Sequence, residues 1–439
     1  MDHQLEEEIT DINKKITLLL QTGQMLMESG ADTSRIIRNM TRTAAYMGIA
    51  QEKLNLHVMY TTLMLNIHDG SRFYTGFRKC QHHGINMTII SALSKLSWRA
   101  MKNNYSLEQY ETALHALGQR PRFYSPWLTA LGAGFACGGF CKLFGSDWLA
   151  FFYTAICAAL GFGIRRLCNR WGFNGYASIA IAAFCATCLA VFTQYLPASD
   201  TPWHPVIACA LFIVPGIPLI NSIDDLLNNH IVSGSTRAMN TLIIGASMTF
   251  GIVIAIRLLH IYDFTSLRII PDSIYLSHAA AAAISAIGFS MIFNVPRRLL
   301  PAAAIGGIIS VCLRNFFALE MGMDQAAASF IGSAVVGILC LQAVHWFHTP
   351  NHVIAIPAVI PLVPGVLLYR LLFAIINITN SDTADLIAGF RSGVEAMLIL
   401  AAVAVGIAIP NIFLNRYIER NRELRQQELL AANYPESED

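Results

Sequence analysis

Charge is what this 439-residue chain has least of: Lys, Arg, Asp and Glu make up 13% of it, roughly half the share in an ordinary soluble domain. The shortage is uneven. Residues 1–125 carry ordinary amounts, while residues 126–414 are mostly apolar. That reads as a soluble N-terminal domain followed by a polytopic membrane domain. No basic stripe interleaved with aromatics is present and the net charge is +2, so nucleic acid is excluded as a partner. The start, Met1-Asp2-His3-Gln4-Leu5-Glu6-Glu7-Glu8, is acidic and has no apolar run. No cleavable signal peptide is read there, and the N-terminal domain is expected in the cytoplasm. G-x-S-x-G, Walker and H-E-x-x-H motifs are absent, which argues against an ATP-driven pump or a hydrolase of those types; no cofactor is expected.

The ten cysteines form no framework. Nine lie in or beside apolar spans, and Cys185-Ala-Thr-Cys188 has no second pair, so they read as small apolar packing residues. His278, His345, His348 and His352 lack the paired spacing of metal ligands; they read as buried or interfacial histidines, and no metal site is expected.

Two helices are expected at about 5–48. Ile9, Ile12, Ile16, Leu19, Leu20 and Leu26 recur at helical spacing. Gly30 suits a left-handed helix end, and Asp32 or Thr33 can cap the helix that follows. Residues 54–80 switch to alternation, with a turn at His68-Asp69-Gly70-Ser71, which predicts a hairpin or small sheet. Helices return over 86–118. Residues 1–120 are therefore a small α+β domain, and 121–126 is a linker.

Ten apolar spans follow. Five lie in 127–260 and five in 273–414, each near the ~20 residues needed to cross a bilayer. Residues 415–439 form a charged tail with a helix at Arg416–Glu428. Arginines cluster in alternate loops (Arg165, Arg166, Arg170, Arg237, Arg297, Arg298) and in the tail. Acids such as Asp200, Asp263, Asp272, Glu320 and Asp324 dominate the other loops, with only Lys142, Arg268 and Arg391 as bases there. This places both termini in the cytoplasm.

The fourth and ninth spans, at about 203–220 and 353–377, are interrupted. Val214-Pro215-Gly216-Ile217-Pro218 breaks one and Val363-Pro364-Gly365 the other, 149 residues apart. Proline removes a backbone donor and clashes with the preceding turn, so each span should bend there. Val206-Ile207-Ala208 and Val353-Ile354-Ala355 precede the breaks. Gly251-Ile252 and Gly406-Ile407 end the fifth and tenth spans. Five spans per repeat is odd, so the second repeat should enter the membrane upside down. The fold class is then a mainly α membrane protein of two inverted five-helix repeats. Paired breaks of this kind point to a transporter's substrate site.

The chain resembles the threonine/serine exporter family. The resemblance rests on Gly23-Gln24-Met25-Leu26-Met27-Glu28-Ser29-Gly30-Ala31-Asp32-Thr33-Ser34-Arg35, on Val214-Pro215-Gly216-Ile217-Pro218-Leu219 with Asp224-Asp225-Leu226, Gly234 and Arg237, and on Leu362-Val363-Pro364-Gly365. It covers most of the chain. It implies a ten-span inner-membrane exporter with a cytoplasmic N-terminal domain, moving small amino acids or small carboxylates on an ion gradient. Split relatives, one pair associated with succinate efflux, keep a dicarboxylate substrate open. A gated channel or scaffold with a cytoplasmic binding domain is the other reading, and an enzyme in the N-terminal domain a third. The expected partners are a small-molecule substrate, a proton or cation, and the lipid bilayer. A homo-oligomer stays open.

Substrate contacts are expected at Pro215, Gly216, Asn221, Pro364, Gly365, Arg370 and Asn240. Arg370 is either a carboxylate clamp or a snorkelling side chain, and Arg314 poses the same choice. Asp224, Asp225 and Glu395 are the candidates for ion coupling. The two aspartates are expected in the first turn of a helix restarting near Asn221, where capping is the competing explanation. Glu395 competes with an i, i+4 pair to Arg391. Gly30, Asp32, Arg35 and Arg237 are expected to dock or regulate. The turn explains Gly30 and Asp32 but not Arg35, and the excess of cytoplasmic positive charge alone would explain Arg237.

Overall fold

A computed structural model describes residues 2–69, 72–196, 199–259, 275–347, 349–376, 378 and 382–433. The Gly70-Ser71 turn, His348, the loop with Asp263, Arg268 and Asp272, and residues 434–439 lie outside these. So do the side chains of His345 and the Arg416–Glu428 tail. The chain forms two compact units, one of residues 1–122, 221–237 and 410–439, the other of 123–220 and 238–409.

The first unit opens with α1 (Asp2–Glu28) and α2 (Thr33–Tyr46). Between them Gly30 adopts φ +86°, the left-handed backbone that favours glycine. Asp32 caps α2 by accepting the Arg35 N–H at 2.7 Å. Strands β1 (Leu54–Val58), β2 (Thr62–Asp69) and β3 (Arg72–Lys79) make an antiparallel sheet in the order β1-β2-β3. Alternation decides its faces: Leu63, Leu65 and Ile67 are buried while Met64 is exposed. Gly76 lets the sheet approach α1, because a Cβ there would lie 2.5 Å from Ile16. Then come α3 (Met87–Lys102) and α4 (Leu107–Gly118), the latter opened by a Ser106/Gln109 capping box. Leu19, Leu26, Ile36, Met40, Leu63, Leu93 and Met101 fill the core. Each contributes about 1.5–3 kcal/mol by burial. The Tyr110 hydroxyl reaches Thr22 at 3.0 Å in that core.

The second unit is built from α5 (Pro126–Leu143), α6 (Trp148–Arg170), α7 (Gly175–Phe192), α8 (His204–Ala208), α9 (Gly216–Leu227), α10 (Ile231–Leu258), α11 (Tyr275–Ile292), α12 (Leu300–Asn315), α13 (Gln325–Phe347), α14 (His352–Val359), α15 (Gly365–Ile376) and α16 (Thr383–Asn433). The chain passes between units within α9, α10 and α16. Among the described residues seven helices are long and apolar enough to cross a membrane, or nine if each bent pair counts once. α5 is a glycine-rich helix of 18 residues and brings the repeat members to ten. Large apolar side chains face outward, as on α6 at Trp148, Phe152, Ile156 and Leu160. Glycine, alanine and serine are buried between helices, the pattern of helices packed in lipid. All ten cysteines are free, and nine of them lie in or beside apolar spans. One boundary differs from expectation. The tenth span and the charged tail are a single 51-residue helix, α16, because no glycine or proline stops it after Pro410.

The two repeats cross antiparallel on themselves. A Cβ at Gly139 of α5 would lie 2.7 Å from Ala281 O and from Ser285 Cβ in α11. A Cβ at Gly288 of α11 would lie 2.5 Å from Gly132 O and Ala136 N in α5. Subtracting 149 from 281, 285 and 288 returns 132, 136 and 139, so equivalent positions exchange contacts about a pseudo-twofold axis. Phe140 and its equivalent Phe289 meet edge to face, with centroids 5.6 Å apart. Later positions on one helix meet earlier ones on the other, so the repeats are inverted. Gly251 packs on Ala180 and Phe184 of α7, and Gly406 on Phe330, Ser333 and Ala334 of α13, which extends the correspondence to the last helix of each repeat.

Candidate functional site

Each half has one broken helix with the same hydrogen bonds. Val214 N–H donates to Leu211 O and Gly216 N–H to Val214 O, at 3.1 and 2.9 Å. Val363 N–H donates to Ile360 O and Gly365 N–H to Val363 O, both at 2.9 Å. Pro215 and Pro364 supply no N–H, so the chain turns and each helix restarts at once. The bends are 57° and 62°. The breaks face one another. A Cβ at Gly216 would come within 2.5 Å of Ile360 Cδ1, and one at Gly365 within 3.0 Å of Leu211 Cδ2. They wall a narrow apolar cavity lined by four equivalent pairs: Phe140 and Phe289, Leu211 and Ile360, Val214 and Val363, Gly216 and Gly365. None of these side chains is polar.

The aspartates require a correction. α9 restarts at Gly216 rather than near Asn221, so Asp224 and Asp225 fall in its last turn. The dipole disfavours carboxylates there, and capping does not explain them. The helix ends at Leu227, and beyond it Asn229 takes φ +63° while His230 N–H donates to Asp225 O at 2.8 Å.

In the first unit these residues meet the α1–α2 turn. Asp225, fully buried, accepts the Thr33 N–H at 2.8 Å and the Thr33 hydroxyl at 2.9 Å. Arg237, 2% exposed, places Nε 2.9 Å from Asp225 Oδ2. That contact is set by charge rather than hydrogen-bond alignment, because Nε lacks a well-aimed acceptor. Arg237 Nη2 donates to Ala31 O at 2.7 Å, and its guanidinium lies 5.0 Å from the Tyr60 ring centroid. Asn221 Nδ2 donates to Gly30 O, and Ser233 Oγ to Val58 O, both at 2.9 Å. Gly234 permits the close crossing of α9 and α10, since a Cβ there would meet Ser222 O at 2.9 Å.

Arg35 is explained by the same cluster. Its Nε bonds Asp32 Oδ2 at 2.9 Å and neutralises a cap carboxylate that is 3% exposed. The carboxylates of Asp32 and Asp224 come within 4.8 Å of one another.

Gly30, Asp32, Arg35, Asn221, Asp224, Asp225 and Arg237 thus come together, and Asn221 serves that cluster. Pro215, Gly216, Pro364 and Gly365 form the second group. Asn240 lies elsewhere, accepting the Tyr176 hydroxyl at 2.7 Å. Arg370 and Glu395 are half-buried. Among the described residues no ion pair joins Glu395 to Arg391, which leaves the helix-pair explanation without its contact. Tyr60 and Ser233 were missed by sequence reasoning and Thr33 was read only as a possible cap, because their partners lie more than 170 residues away.

These features define a polytopic helical membrane protein of inverted repeats with a broken helix in each, preceded by a small α+β domain. The chain belongs to the threonine/serine exporter family: the family model described as "Putative threonine/serine exporter" matches residues 17–259, more than half of it. A second model, "Threonine/Serine exporter, ThrE", matches residues 278–413. Two relatives named "Probable succinate transporter subunit YjjP" each align with a little over half of the chain. That of Klebsiella aerogenes is 27% identical over 54% of this chain and 91% of its own length. That of Escherichia coli K12 is 26% identical over 56% and 96%. A Mycobacterium tuberculosis protein named "Probable threonine/serine exporter" is 23% identical over 90% of this chain and 75% of its own length. No solved structure matches. The protein is a multi-pass membrane exporter.

Proposed function

We propose that the protein is a secondary transporter that exports small amino acids of the threonine/serine type, driven by an ion gradient, with its substrate site at the paired Pro-Gly breaks. The supporting observation is the pair of identical breaks, 149 residues apart, meeting antiparallel across one cavity. Alternating access needs such a pair, since exchanging the conformations of the two halves turns one opening into the other. The helix starts at Gly216 and Gly365 would face the substrate's carboxylate. Asp224 and Glu395 are the carboxylates placed to carry a coupling proton or cation, with Arg370 as a substrate clamp. Asp225 is held by Thr33 and Arg237 and would couple the α1–α2 turn to α9. The chain acts by transport rather than catalysis, in the inner membrane with both termini cytoplasmic, as its loop arginines imply.

A dicarboxylate of the succinate type is the second reading. The printed names of the two half-length relatives favour it. Efflux from cells loaded with threonine, serine or succinate, with and without the chain, tests both. Faster loss of one solute selects between them, and unchanged pools of all three would remove the transporter reading.

A further inference from the structure

Arg314 breaks the charge pattern of the membrane helices. It lies in the last turn of α12, at the end of the second unit remote from Arg297 and Arg298. A snorkelling arginine would turn its guanidinium to water. Here Nε and Nη2 both donate to Asn315 Oδ1, at 3.1 and 2.9 Å, and Asn315 is 4% exposed. Asn315 Nδ2 in turn contacts His278 Nδ1 of α11 at 2.8 Å, and His278 is 2% exposed. A guanidinium only donates and an amide NH₂ only donates. The chain of bonds therefore fixes the roles: Asn315 turns its oxygen to Arg314, and His278 accepts through Nδ1 and keeps its proton on Nε2. One neutral acceptor, Asn315 Oδ1, itself braced by His278, holds the guanidinium against protein.

The available acid does not neutralise it. Glu320, six residues on, accepts the Tyr275 hydroxyl at 3.2 Å. Among the described residues no carboxylate pairs with Arg314. The backbone also departs from α geometry immediately after Asn315. Phe316–Glu320 closes the helix as a π turn, with Met321 N–H donating to Phe316 O at 3.2 Å, as helix C-termini often do. Repeat one carries an arginine at the equivalent register, Arg165 of α6, near the end of that helix, again without a carboxylate partner among the described residues. An inverted repeat sends equivalent residues to opposite faces.

We propose that Arg314, positioned by Asn315 and His278, is a binding site for the carboxylate of the exported solute at the external mouth, and that Arg165 is its counterpart at the cytoplasmic mouth. The proposal rests on the transporter reading for its ligand. His278 lies about 16 Å along α11 from Phe289 of the cavity, at ~1.5 Å per residue, so this is a separate station and not the break itself. The free edge of the guanidinium fork suits a carboxylate. The site asks nothing of the solute's amino group, so amino acids and dicarboxylates both qualify.

The test uses the full chain in right-side-out and inverted membrane vesicles, with counterflow of labelled threonine and labelled succinate. Arg314→Gln should raise KM from the external face by about 30-fold, the loss of a charge-assisted pair. KM from the cytoplasmic face should stay within about twofold. Arg165→Gln should show the reverse. Asn315→Asp places a carboxylate against the guanidinium and keeps it anchored, so it should raise external KM as Arg314→Gln does, even if the latter inserts poorly. Wild-type values at the external face in both Arg314→Gln and Asn315→Asp, or equal losses at both faces, would overturn the site and leave the transporter reading standing. If the wild type shows no counterflow, the transporter reading falls. Calorimetry of succinate and threonine with the purified full chain then decides the site alone: binding lost in Arg314→Gln supports it, and no binding in the wild type overturns it.

Discussion

After Gly216 the first broken helix runs on to Asp224 and Asp225, and α10 brings back Arg237. After Gly365 the second runs on to Arg370, and α16 brings Glu395. At the breaks the two halves share bends, hydrogen bonds and cavity walls. Beyond them they diverge. The first ends in a fully buried ion pair packed on the α1–α2 turn, and Asn229 and Gly234 shape its corner. The second has only half-buried charge. Symmetry is therefore kept where a helix must bend and face its copy, and lost where the N-terminal domain attaches to one copy. One family model matches residues 17–259, which takes in most of the N-terminal domain together with the first repeat.

The largest expected effect tests the shared part. Gly216→Leu and Gly365→Leu should each lower efflux by more than about 100-fold while the protein still inserts, because branched side chains would fill the cavity and force the breaks apart. Gly365→Ala should be milder than Gly216→Ala, since its Cβ meets Leu211 at 3.0 Å against 2.5 Å to Ile360. Transport by both leucine variants at wild-type rates would separate the breaks from the substrate path.

The next tests the divergent part. Asp225→Asn leaves the buried Arg237 without its anion and should cost about 3–5 kcal/mol in thermal or denaturant unfolding of the full chain. Glu395→Gln should cost less than about 1 kcal/mol, because the half-buried carboxylate has no ion pair to lose among the described residues, and should change the pH dependence of efflux instead. Equal destabilisation by the two would erase the distinction between the repeats.

The smallest concerns His83, which stacks on Tyr60 at 3.9 Å. Its pKa is held below the ordinary histidine value, first by partial burial and then by the Arg237 charge. The unfolded chain therefore binds a proton near pH 6.5 that the folded one refuses. Stability from this residue is present above that pH and is lost as pH falls from about 6.5 toward the depressed value. His83→Gln should flatten the melting temperature between about pH 5 and 6.5; an unchanged slope would remove this contribution.

Much of the fold was legible because it depends on local chemistry. Alternation in Leu63, Leu65 and Ile67 marked the buried strand face. Gly30 and Asp32 marked the helix–helix turn, and each Val-Pro-Gly marked a break. The first-turn reading of Asp224 and Asp225 failed because Pro215 starts a helix as readily as it ends one. The helix therefore restarted one residue after the break, and the aspartates moved to its far end. Asn221 follows the break, and its amide donates to Gly30 O, a contact that spacing along the chain does not show.

Sequence alone determined that the chain repeats, that the repeats are inverted and that each contains one broken span. These follow from hydrophobic length, proline chemistry and an odd number of spans, all of which act over neighbouring residues. Tertiary structure decided which polar groups meet. Asp225 finds Thr33 across 192 residues, Arg237 finds Ala31 across 206, and Asn315 finds His278 across 37. Such pairings are chosen by the close approach of helices whose small residues let them touch. A buried charge takes whichever partner that packing delivers, so spacing along the chain does not reveal it.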